Sequence, residues 1–431
     1  MKTYTWPPGP DFWTGEFPAH TTTRTTPYLF KGIIPEAAAC SDDVLAGFET
    51  IRRAHAAHLD IKAKARVYVG EDRRDDLLPA VLTAPAWDGA SFVPWMQDLV
   101  GAERFSLVIN NLETVSPALA AGLGAFLRTL VDGWGFPLGG AEQVAFAGNY
   151  AGTAFGVHEG YEDAFLIHLG PNPKNFYTWP ADEYEKLTGG KDPLYGDYQW
   201  LLEHGEHFVL EPGDALFLPR RVFHVGTQDQ FSVSVAIPLY TYPHAAILRQ
   251  HIIPDVLASL LADRGPDDAL SEPSPMAAAA AGSAPVAEQL AGLGRNLLLA
   301  AADRVTDAAE RHARQRWHTV LSNGGWELSE NDLARRDAAA AFDPRQATPG
   351  AAVSLIAPYQ LFVTDDGVFL RGFEIDLDVT SLGQDTVAAL NAGESITLPA
   401  DDAVLAAICT LGATGGLRIA IHPTDQEESA S

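Results

Sequence analysis

Apolar positions in the first third of the chain recur at helical spacing. The clearest run lies between Ser116 and Trp134, where Pro117 suits a first helical turn. Its apolar residues fall three or four positions apart and are Leu119, Leu123, Phe126, Leu127 and Leu130. This spacing puts them on one face, so the pattern predicts a helix that packs against a core.

From about Gln143 to Pro243 the pattern changes to short apolar or alternating runs separated by Gly, Pro and Asp. The runs are Val144–Tyr150, Ala164–Leu169, Asn175–Trp179, His207–Leu210, Ala215–Leu218 and Phe231–Ile237. Short strands at this spacing, broken by turn residues, are typical of a β-sandwich or barrel. Ala181–His204 predicts an insertion between two of these strands.

After Pro243 helical periodicity returns, through Ala245–Leu261 and Val286–Val320. The Pro- and Ala-rich segment Asp263–Ser283 between them predicts a loop or linker. In the second helical run an apolar stripe indicates core packing or a subunit interface. Its members are Leu290, Leu293, Leu297 and Ala301.

The last part of the chain combines hairpin-like runs with two short helical patterns, Thr386–Asn391 and Asp402–Thr410. This order predicts a winged-helix shape. Such domains often bind DNA, but Arg418 is the only Lys or Arg after Ser381, so phosphate binding there is not expected. The predicted domains are residues 1–243, 244–322 and 323–431.

Composition and charge narrow the function classes. The chain has 431 residues, 47% of them hydrophobic, which is an ordinary globular composition. Its 56 Asp and Glu against 29 Lys and Arg give a formal net charge of -27, which disfavours nucleic acid and anionic membranes as partners. Two distant cysteines, Cys40 and Cys409, exclude a disulfide framework. The absence of a long apolar run predicts a cytoplasmic protein without a membrane span.

Two histidines stand at strand-like runs that turn residues flank. His158 ends the sequence Phe-Gly-Val-His, and His224 follows the turn Pro212–Pro219, which reads Pro-Gly-Asp-Ala-Leu-Phe-Leu-Pro. A lone histidine is more often a satisfied polar residue than a ligand. Two neutral imidazoles from different strands, however, are what Fe(II) takes from a protein, together with a third ligand and open positions for substrate and oxygen.

These motifs resemble the Jumonji C (JmjC) branch of the cupin-fold oxygenases, which depend on Fe(II) and 2-oxoglutarate. The closest resemblance is to the ribosomal-oxygenase group and covers roughly residues 20–420, including the Ser-Pro-Ala-Leu helix start at Ser116. It implies an α+β fold whose core is a double-stranded β-helix of the cupin type. N-terminal helices, a helical dimerisation region and a C-terminal winged helix would complete the chain, and the protein would be a homodimer.

By this resemblance His158 is the first metal ligand and His224 the last, but the carboxylate position falls on Gly160. Four explanations stay open. A halide fills the third position, as in the iron halogenases; or His168 completes a three-histidine site, because Ala164, Leu166 and His168 share one face of a strand. Alternatively, a glutamate bends in from the loop, either Glu159 or Glu162. In the fourth explanation the scaffold holds no catalytic metal.

The resemblance also assigns Lys174 to the distal carboxylate of 2-oxoglutarate, although a solvated loop lysine is an equal alternative. Further candidates for cosubstrate binding are Asn149, Tyr150, Ser232 and Ser234. The serines share one face of a strand, and buried hydroxyls that bond to the backbone are the commoner outcome. Arg220 and Arg221 either hold an anionic substrate group or cap the turn before His224.

The leading hypothesis is a non-haem Fe(II)- and 2-oxoglutarate-dependent oxygenase that acts on an amino-acid, peptide or protein side chain. The acidic charge disfavours a ribosomal target. Alternatives are a halogenase on the same scaffold, a three-histidine cupin dioxygenase, and a non-catalytic dimeric binding protein.

Overall fold

A computed structural model describes residues 4–87, 92–135, 137–153, 155–262, 285–365, 367–378 and 382–420. The predicted linker Asp263–Ser283 lies outside these ranges. The chain forms two compact units: one combines Met1–Thr241 with His318–Ser431, and the other is Tyr242–Trp317. No helix among the described residues is both long and apolar enough to cross a membrane.

A large antiparallel sheet forms the centre of the first unit. Its strands are β1 (Tyr28–Phe30), β2 (Lys64–Val69), β3 (Asp72–Arg73), β4 (Phe105–Asn110), β5 (Val144–Tyr150), β6 (His158–Glu159), β7 (Asp163–Pro171), β8 (Lys174–Pro180), β9 (Glu206–Leu210), β10 (Ala215–Leu218) and β11 (Val222–Leu239). The main path runs β1-β10-β7-β11-β5-β4-β2-β3, while β6 and β8 pair with β11, and β9 pairs with β8.

Strand β11 connects the two parts of this sheet. Its first residues pair with β6 and β8, and its later residues pair with β5 and β7. The register shifts between Gln228 and Ser232, where the strand changes partners. A bulge of this kind bends a strand and increases its twist. This bend allows β11 to pair with strands in both parts of the sheet.

Helices pack around the sheet; those before residue 135 contribute to the main core, and the last two contribute to a smaller apolar cluster. They are Phe12–Glu16, Phe17–His20, Ser41–Ala56, Leu78–Thr83, Phe92–Val100, Leu112–Thr114, Pro117–Trp134, Ala181–Thr188 and Gln199–Leu202. The predicted helix at Ser116 begins at Pro117, and its apolar residues Leu119, Leu123 and Phe126 are fully buried. The predicted α+β architecture around a β core is therefore confirmed.

The second unit is helical. Its helices are His244–Ile247, Leu248–Ile252, Ile253–Leu261 and most of Pro285–Ser322. Ile252, Val256, Ala301 and Ala308 form its small core. Leu290 of the predicted stripe is 59% exposed, so this stripe does not lie wholly inside the unit.

The C-terminal part of the first unit has a separate apolar core. Its helices are Leu333–Ala341, Pro344–Gln346, Gln384–Asn391 and Asp402–Gly412. Its strands are β12 (Ala352–Leu355), β13 (Phe362–Thr364), β14 (Gly367–Leu370), β15 (Phe373–Ile375), β16 (Ile396–Thr397) and β17 (Leu417–Ala420). They form two small sheets, β16-β12-β17 and β13-β14-β15. The winged-helix assignment stays a prediction.

Candidate metal and cosubstrate site

His158 and His224 lie opposite each other on adjacent strands. The antiparallel register of β6 and β11 pairs them directly, and their ring centroids are 4.4 Å apart. Directly opposed residues on one face of such a pair have Cβ atoms about 5 Å apart. The sheet therefore brings together the two imidazoles that the sequence proposes as metal ligands.

Both rings have the protonation state that metal binding requires. Nδ1 of His158 lies 3.2 Å from the Gly156 carbonyl oxygen, and Nδ1 of His224 lies 3.1 Å from that of Val222. Burial lowers the pKa of His158; burial and the neighbouring His158 lower the pKa of His224 to about 3. A neutral ring whose Nδ1–H donates to a carbonyl keeps its lone pair on Nε2, the arrangement seen in histidine metal ligands.

Gly156 fixes the approach of the chain to His158. Its backbone has a φ of +60°, a conformation that favours glycine. A Cβ here would lie 2.4 Å from the carbonyl oxygen of Leu194. Next to it, Val157 and Leu194 exchange two backbone hydrogen bonds of 2.9 and 3.0 Å. The insertion between β8 and β9 is thus fastened to the residue before His158.

Gly160 stands beside the histidine pair. A Cβ at this position would lie 3.3 Å from Cε1 of His224. Its backbone is held by the Val222 carbonyl, which accepts from its N–H, and by the Arg221 N–H, which donates to its carbonyl. A side chain at position 160 would therefore project next to the His224 ring, but glycine supplies no donor atom there.

The two nearby glutamates differ in their environment. Nη1 of Arg221 donates to the Glu159 carboxylate at 3.1 Å, which occupies one of its oxygens. Glu162 lines the same cavity as the histidines, no ion pair to its carboxylate is seen among the described residues, and burial raises its pKa. Arg220 pairs with Asp163 at 3.2 Å. The two arginines therefore make ion pairs around the turn before His224.

Lys174 is a buried ammonium group in the wall of this cavity. Its side chain is only 1% exposed, and Nζ donates to the Tyr150 hydroxyl at 2.6 Å and to Oε1 of Gln228 at 3.1 Å. No carboxylate of the described residues forms an ion pair with it, and burial lowers its pKa to about 7. The alternative of a solvated loop lysine does not describe this position, which offers a cation to an anionic ligand.

The structure does not bring His168 to the histidine pair. Its Nδ1 lies 2.9 Å from the Ser234 hydroxyl and its Nε2 lies 2.7 Å from the Asn172 carbonyl oxygen. The Ser232 hydroxyl donates to the same carbonyl at 2.7 Å. Because both ring nitrogens already have partners, the prediction of His168 as a third metal ligand is wrong. Ser232 and Ser234 form hydrogen bonds within this cluster and do not line the cavity.

Asn149 also lies apart from the cavity. Its side-chain amide accepts from the Phe105 N–H and donates to the Glu103 carbonyl oxygen, both near the start of β4. Asn149 therefore holds the C-terminal end of β5 to the start of β4, whereas the hydroxyl of the next residue, Tyr150, contacts Lys174. The alternation of side chains along a strand separates these two neighbours.

The cavity has a volume of about 290 Å³ and a largely apolar lining. Its apolar lining residues include Val144, Phe146, Phe155, Leu166, Phe176, Leu218 and Ala236. The ring of Phe176 stacks on His224 with centroids 5.4 Å apart. Sequence reasoning missed Phe176 and Gln228, although Phe176 lies two positions after Lys174 and Gln228 four after His224. Residues an even number of positions apart lie on the same face of a strand, so this spacing could have indicated both residues.

The two imidazoles, with their available Nε2 atoms, can supply two of the ligands that an iron ion needs. The third ligand of a two-histidine, one-carboxylate centre does not fit, because position 160 is glycine. Among the described residues there is no cluster of three or more His, Cys, Asp or Glu that would hold a metal. The donor set is thus a histidine pair within an apolar cavity that also contains a cation.

Residues 143–247 match the family model of the JmjC domain. This segment contains both histidines, Gly160 and Lys174. The match supports the resemblance to JmjC oxygenases for this part of the chain. Comparison with curated protein sequences finds no match.

The whole chain is similar in structure to the E. coli protein YcfD. One X-ray structure of YcfD has 15% identity and a TM-score of 0.55, with 97% of this chain and 99% of that chain covered. A crystal structure described as E. coli ribosomal oxygenase YcfD has 15% identity and a TM-score of 0.51, and the comparison covers 97% of this chain and 99% of that chain. At this identity the likeness establishes the fold, and it confirms the predicted cupin-type core with its helices.

Proposed function

We propose that the protein is a 2-oxoglutarate-dependent oxygenase with non-haem Fe(II). One observation carries this proposal: two neutral imidazoles line the same cavity as a buried ammonium group that forms no ion pair with a carboxylate of the described residues. A divalent metal suits the first, and the distal carboxylate of a dicarboxylate suits the second. The JmjC match over residues 143–247 supports the same assignment.

Each of these residues would have a separate role in binding. His158 and His224 would hold the iron through Nε2, and Lys174 would orient 2-oxoglutarate with help from Tyr150. Bound iron and 2-oxoglutarate together supply the oxidising chemistry that activates oxygen toward a C–H bond. The apolar walls around Phe146 and Phe176 would exclude water and keep these charges in a low-dielectric space.

An amino-acid, peptide or protein side chain is the proposed substrate class. The similar E. coli structure is described as a ribosomal oxygenase, which favours a protein substrate. The net charge of -27 counts against a target embedded in RNA, because like charges repel over the whole surface. We therefore propose a substrate that is not bound to RNA.

Anaerobic titration with Co(II), followed by its visible absorption, tests the metal assignment. We expect one bound ion in the wild type and at least tenfold weaker binding in His158→Ala and His224→Ala, because each removes one of two protein ligands. His204→Ala changes a partly exposed histidine outside the cavity and is the matched control. Equal affinity in the wild type and both ligand variants would refute the metal site.

Turnover is measured separately, as succinate released from 2-oxoglutarate by the Fe(II)-loaded protein. Wild-type protein should release succinate, and His158→Ala should not. If the metal binds but neither 2-oxoglutarate binding nor succinate release occurs, a non-catalytic binding protein is the correct reading and the oxygenase proposal fails.

Halogenation is the second candidate function, and Gly160 is the observation that favours it. The backbone at this position lies next to His224, and the missing carboxylate would leave a coordination position for halide. We expect chloride to perturb the Co(II) spectrum of the wild type. In Gly160→Asp chloride should have no effect and Co(II) should bind more tightly. Identical spectra with chloride and with nitrate would exclude a halide ligand.

A further inference from the structure

Gln228 lies beside Lys174 at the point where β11 changes partners. Its side chain is buried, and the register of β11 against β5 shifts between Gln228 and Ser232. Oε1 of Gln228 accepts a hydrogen bond from Nζ of Lys174 at 3.1 Å. A β-bulge can change the direction in which a side chain points. Here the residue at the irregularity is the one that contacts the lysine.

Two backbone carbonyl groups fix the orientation of the Gln228 amide. Its Nε2 donates to the Gly148 carbonyl oxygen at 2.6 Å and to the Ser232 carbonyl oxygen at 2.9 Å. Because carbonyl oxygens only accept hydrogen bonds, the amide nitrogen must face them and the amide oxygen must face Lys174. Three hydrogen bonds therefore hold this side chain in one orientation.

The same face of β11 makes room for the stem of Lys174. Gly226 lies two positions before Gln228, so both residues belong to one face of the strand. A Cβ at position 226 would lie 2.9 Å from Cε of Lys174 and 3.1 Å from Cδ2 of Phe176. Glycine thus leaves the space that the lysine stem occupies, and Gln228 accepts from the ammonium group at its end.

The partners of Lys174 leave part of its ammonium group for a ligand. An ammonium group has three N–H donors, and two of them bond the neutral oxygens of Tyr150 and Gln228. The described ranges contain no hydrogen-bond acceptor for the third donor, and Lys174 lines the cavity. A neutral acceptor orients the ammonium group without cancelling its charge, as a carboxylate would do.

We propose that Gln228 is a positioning residue for Lys174: its amide holds the ammonium group through a neutral oxygen and leaves the charge and the third N–H to the distal carboxylate of 2-oxoglutarate. This inference rests on the proposed function. A hydrogen bond to the ammonium form also favours that form over the neutral amine. Gln228 therefore opposes the effect of burial, which lowers the pKa of Lys174.

Other titratable groups surround Lys174 and must be separated from it in a test. They are Tyr150 on β5, His168 on β7, and His158, Glu159, Glu162 and His224 around the same cavity. Burial lowers the pKa of each of the three histidines and raises that of Tyr150, so these groups stay neutral as the pH rises through 7. Since substitution of Gln228 leaves both glutamates in place, a changed pH dependence reports on Lys174.

Isothermal titration calorimetry of 2-oxoglutarate into the anaerobic, Co(II)-loaded full chain, at pH 6 and pH 8, tests this inference. Gln228→Met keeps the length of the side chain and removes the acceptor, so the pKa of Lys174 should fall further. Binding should be weaker than in the wild type by about twofold at pH 6 and about tenfold at pH 8, because more of the amine is neutral at pH 8. A role confined to packing would weaken binding equally at both pH values.

Gln143→Met is the matched control. Gln143 is buried, its amide donates to the Leu119 carbonyl oxygen at 3.1 Å, and it does not line the cavity. This variant should bind 2-oxoglutarate as the wild type does at both pH values. Co(II) affinity should equal that of the wild type in Gln143→Met and in Gln228→Met, which separates the role of Gln228 from the proposed metal centre.

Gln228→Glu decides the question if Gln228→Met does not fold by circular dichroism. A carboxylate here would pair with the ammonium group and repel the ligand, so 2-oxoglutarate should bind about tenfold more weakly at both pH values. If the wild type binds no 2-oxoglutarate, the proposed function fails and this inference fails with it. Wild-type affinity and pH dependence in both Gln228 variants, or an equal loss at pH 6 and pH 8 in Gln228→Met, would overturn this inference alone.

Discussion

Lys174 illustrates how burial sets the chemistry of a single residue. Its ammonium group is removed from water, and within the described ranges its hydrogen-bond acceptors are two neutral oxygens, those of Tyr150 and Gln228. Desolvation without a compensating charge favours the neutral amine, which explains a pKa of about 7. A bound dicarboxylate would reverse this preference, because it supplies the missing opposite charge.

The affinity for 2-oxoglutarate should therefore depend on pH. Below pH 7 free Lys174 is already charged; above it, binding must first take up a proton. The dissociation constant should rise as pH increases from 7 to 9, by at most about tenfold per unit. Calorimetry in buffers of different ionisation enthalpy measures both the affinity and the proton uptake.

Lys174→Arg is the matched control for this prediction, because arginine stays charged throughout this range. Its affinity for 2-oxoglutarate should change little between pH 7 and 9, with no proton uptake. The same pH slope in both proteins would show that another group titrates.

His168 shows the limit of residue-level prediction. Strand alternation correctly places Ala164 and Leu166 in the cavity lining, and the same rule extends to His168. The extension fails because β7 continues past the cavity, where Ser234 and the Asn172 carbonyl take both nitrogens of the ring. Alternation gives a face of a strand, but not the position along it at which the cavity ends.

At the level of elements, the approach to His158 depends on two segments that are distant in sequence. Val157 pairs with Leu194 of the insertion, and Gly156 leaves room for the Leu194 carbonyl. The sequence predicts the insertion at Ala181–His204, yet no local pattern indicates that its loop pairs with the strand carrying a histidine. Such pairing depends on loop closure and packing, which local propensity does not encode.

Gly156→Ala should disturb this arrangement. A methyl group would be 2.4 Å from the Leu194 oxygen and the backbone conformation would be strained, so we expect a loss of about 1–3 kcal/mol in the free energy of unfolding. Co(II) binding should weaken as well. Urea denaturation and the Co(II) titration measure the two effects.

Gly190→Ala is the control within the same insertion, because a Cβ there meets no atom within 4 Å. It should leave stability and Co(II) affinity close to those of the wild type. Equal behaviour of the two alanine variants would contradict the role given to Gly156.

At the level of the whole molecule, the helical unit presents apolar side chains to solvent. Leu298 and Leu299 are 65% and 64% exposed. Leucines exposed to this degree on one helix mark a surface that favours association. They are consistent with the homodimer that the resemblance to the ribosomal-oxygenase group implies, which stays a prediction.

Leu298→Glu combined with Leu299→Glu should convert a dimer into monomers, since burying two carboxylates in an apolar interface is costly. Light scattering after size-exclusion chromatography measures the mass. Leu187→Glu, on a different helix and 37% exposed, should keep the mass of the wild type. A wild-type monomer, or a dimer that survives the double change, would contradict the prediction.

The sequence by itself determined the β core, the helices before and after it, and the two histidines and the lysine as candidates. Turn residues, alternation and helical spacing are local signals, and each fixes a short segment without reference to the rest of the chain. Only the tertiary structure decided that His158 and His224 face each other, that no carboxylate in the described part of the chain pairs with Lys174, and that His168 belongs to another cluster. These outcomes depend on strand register and burial, which arise when segments far apart in the chain pack together.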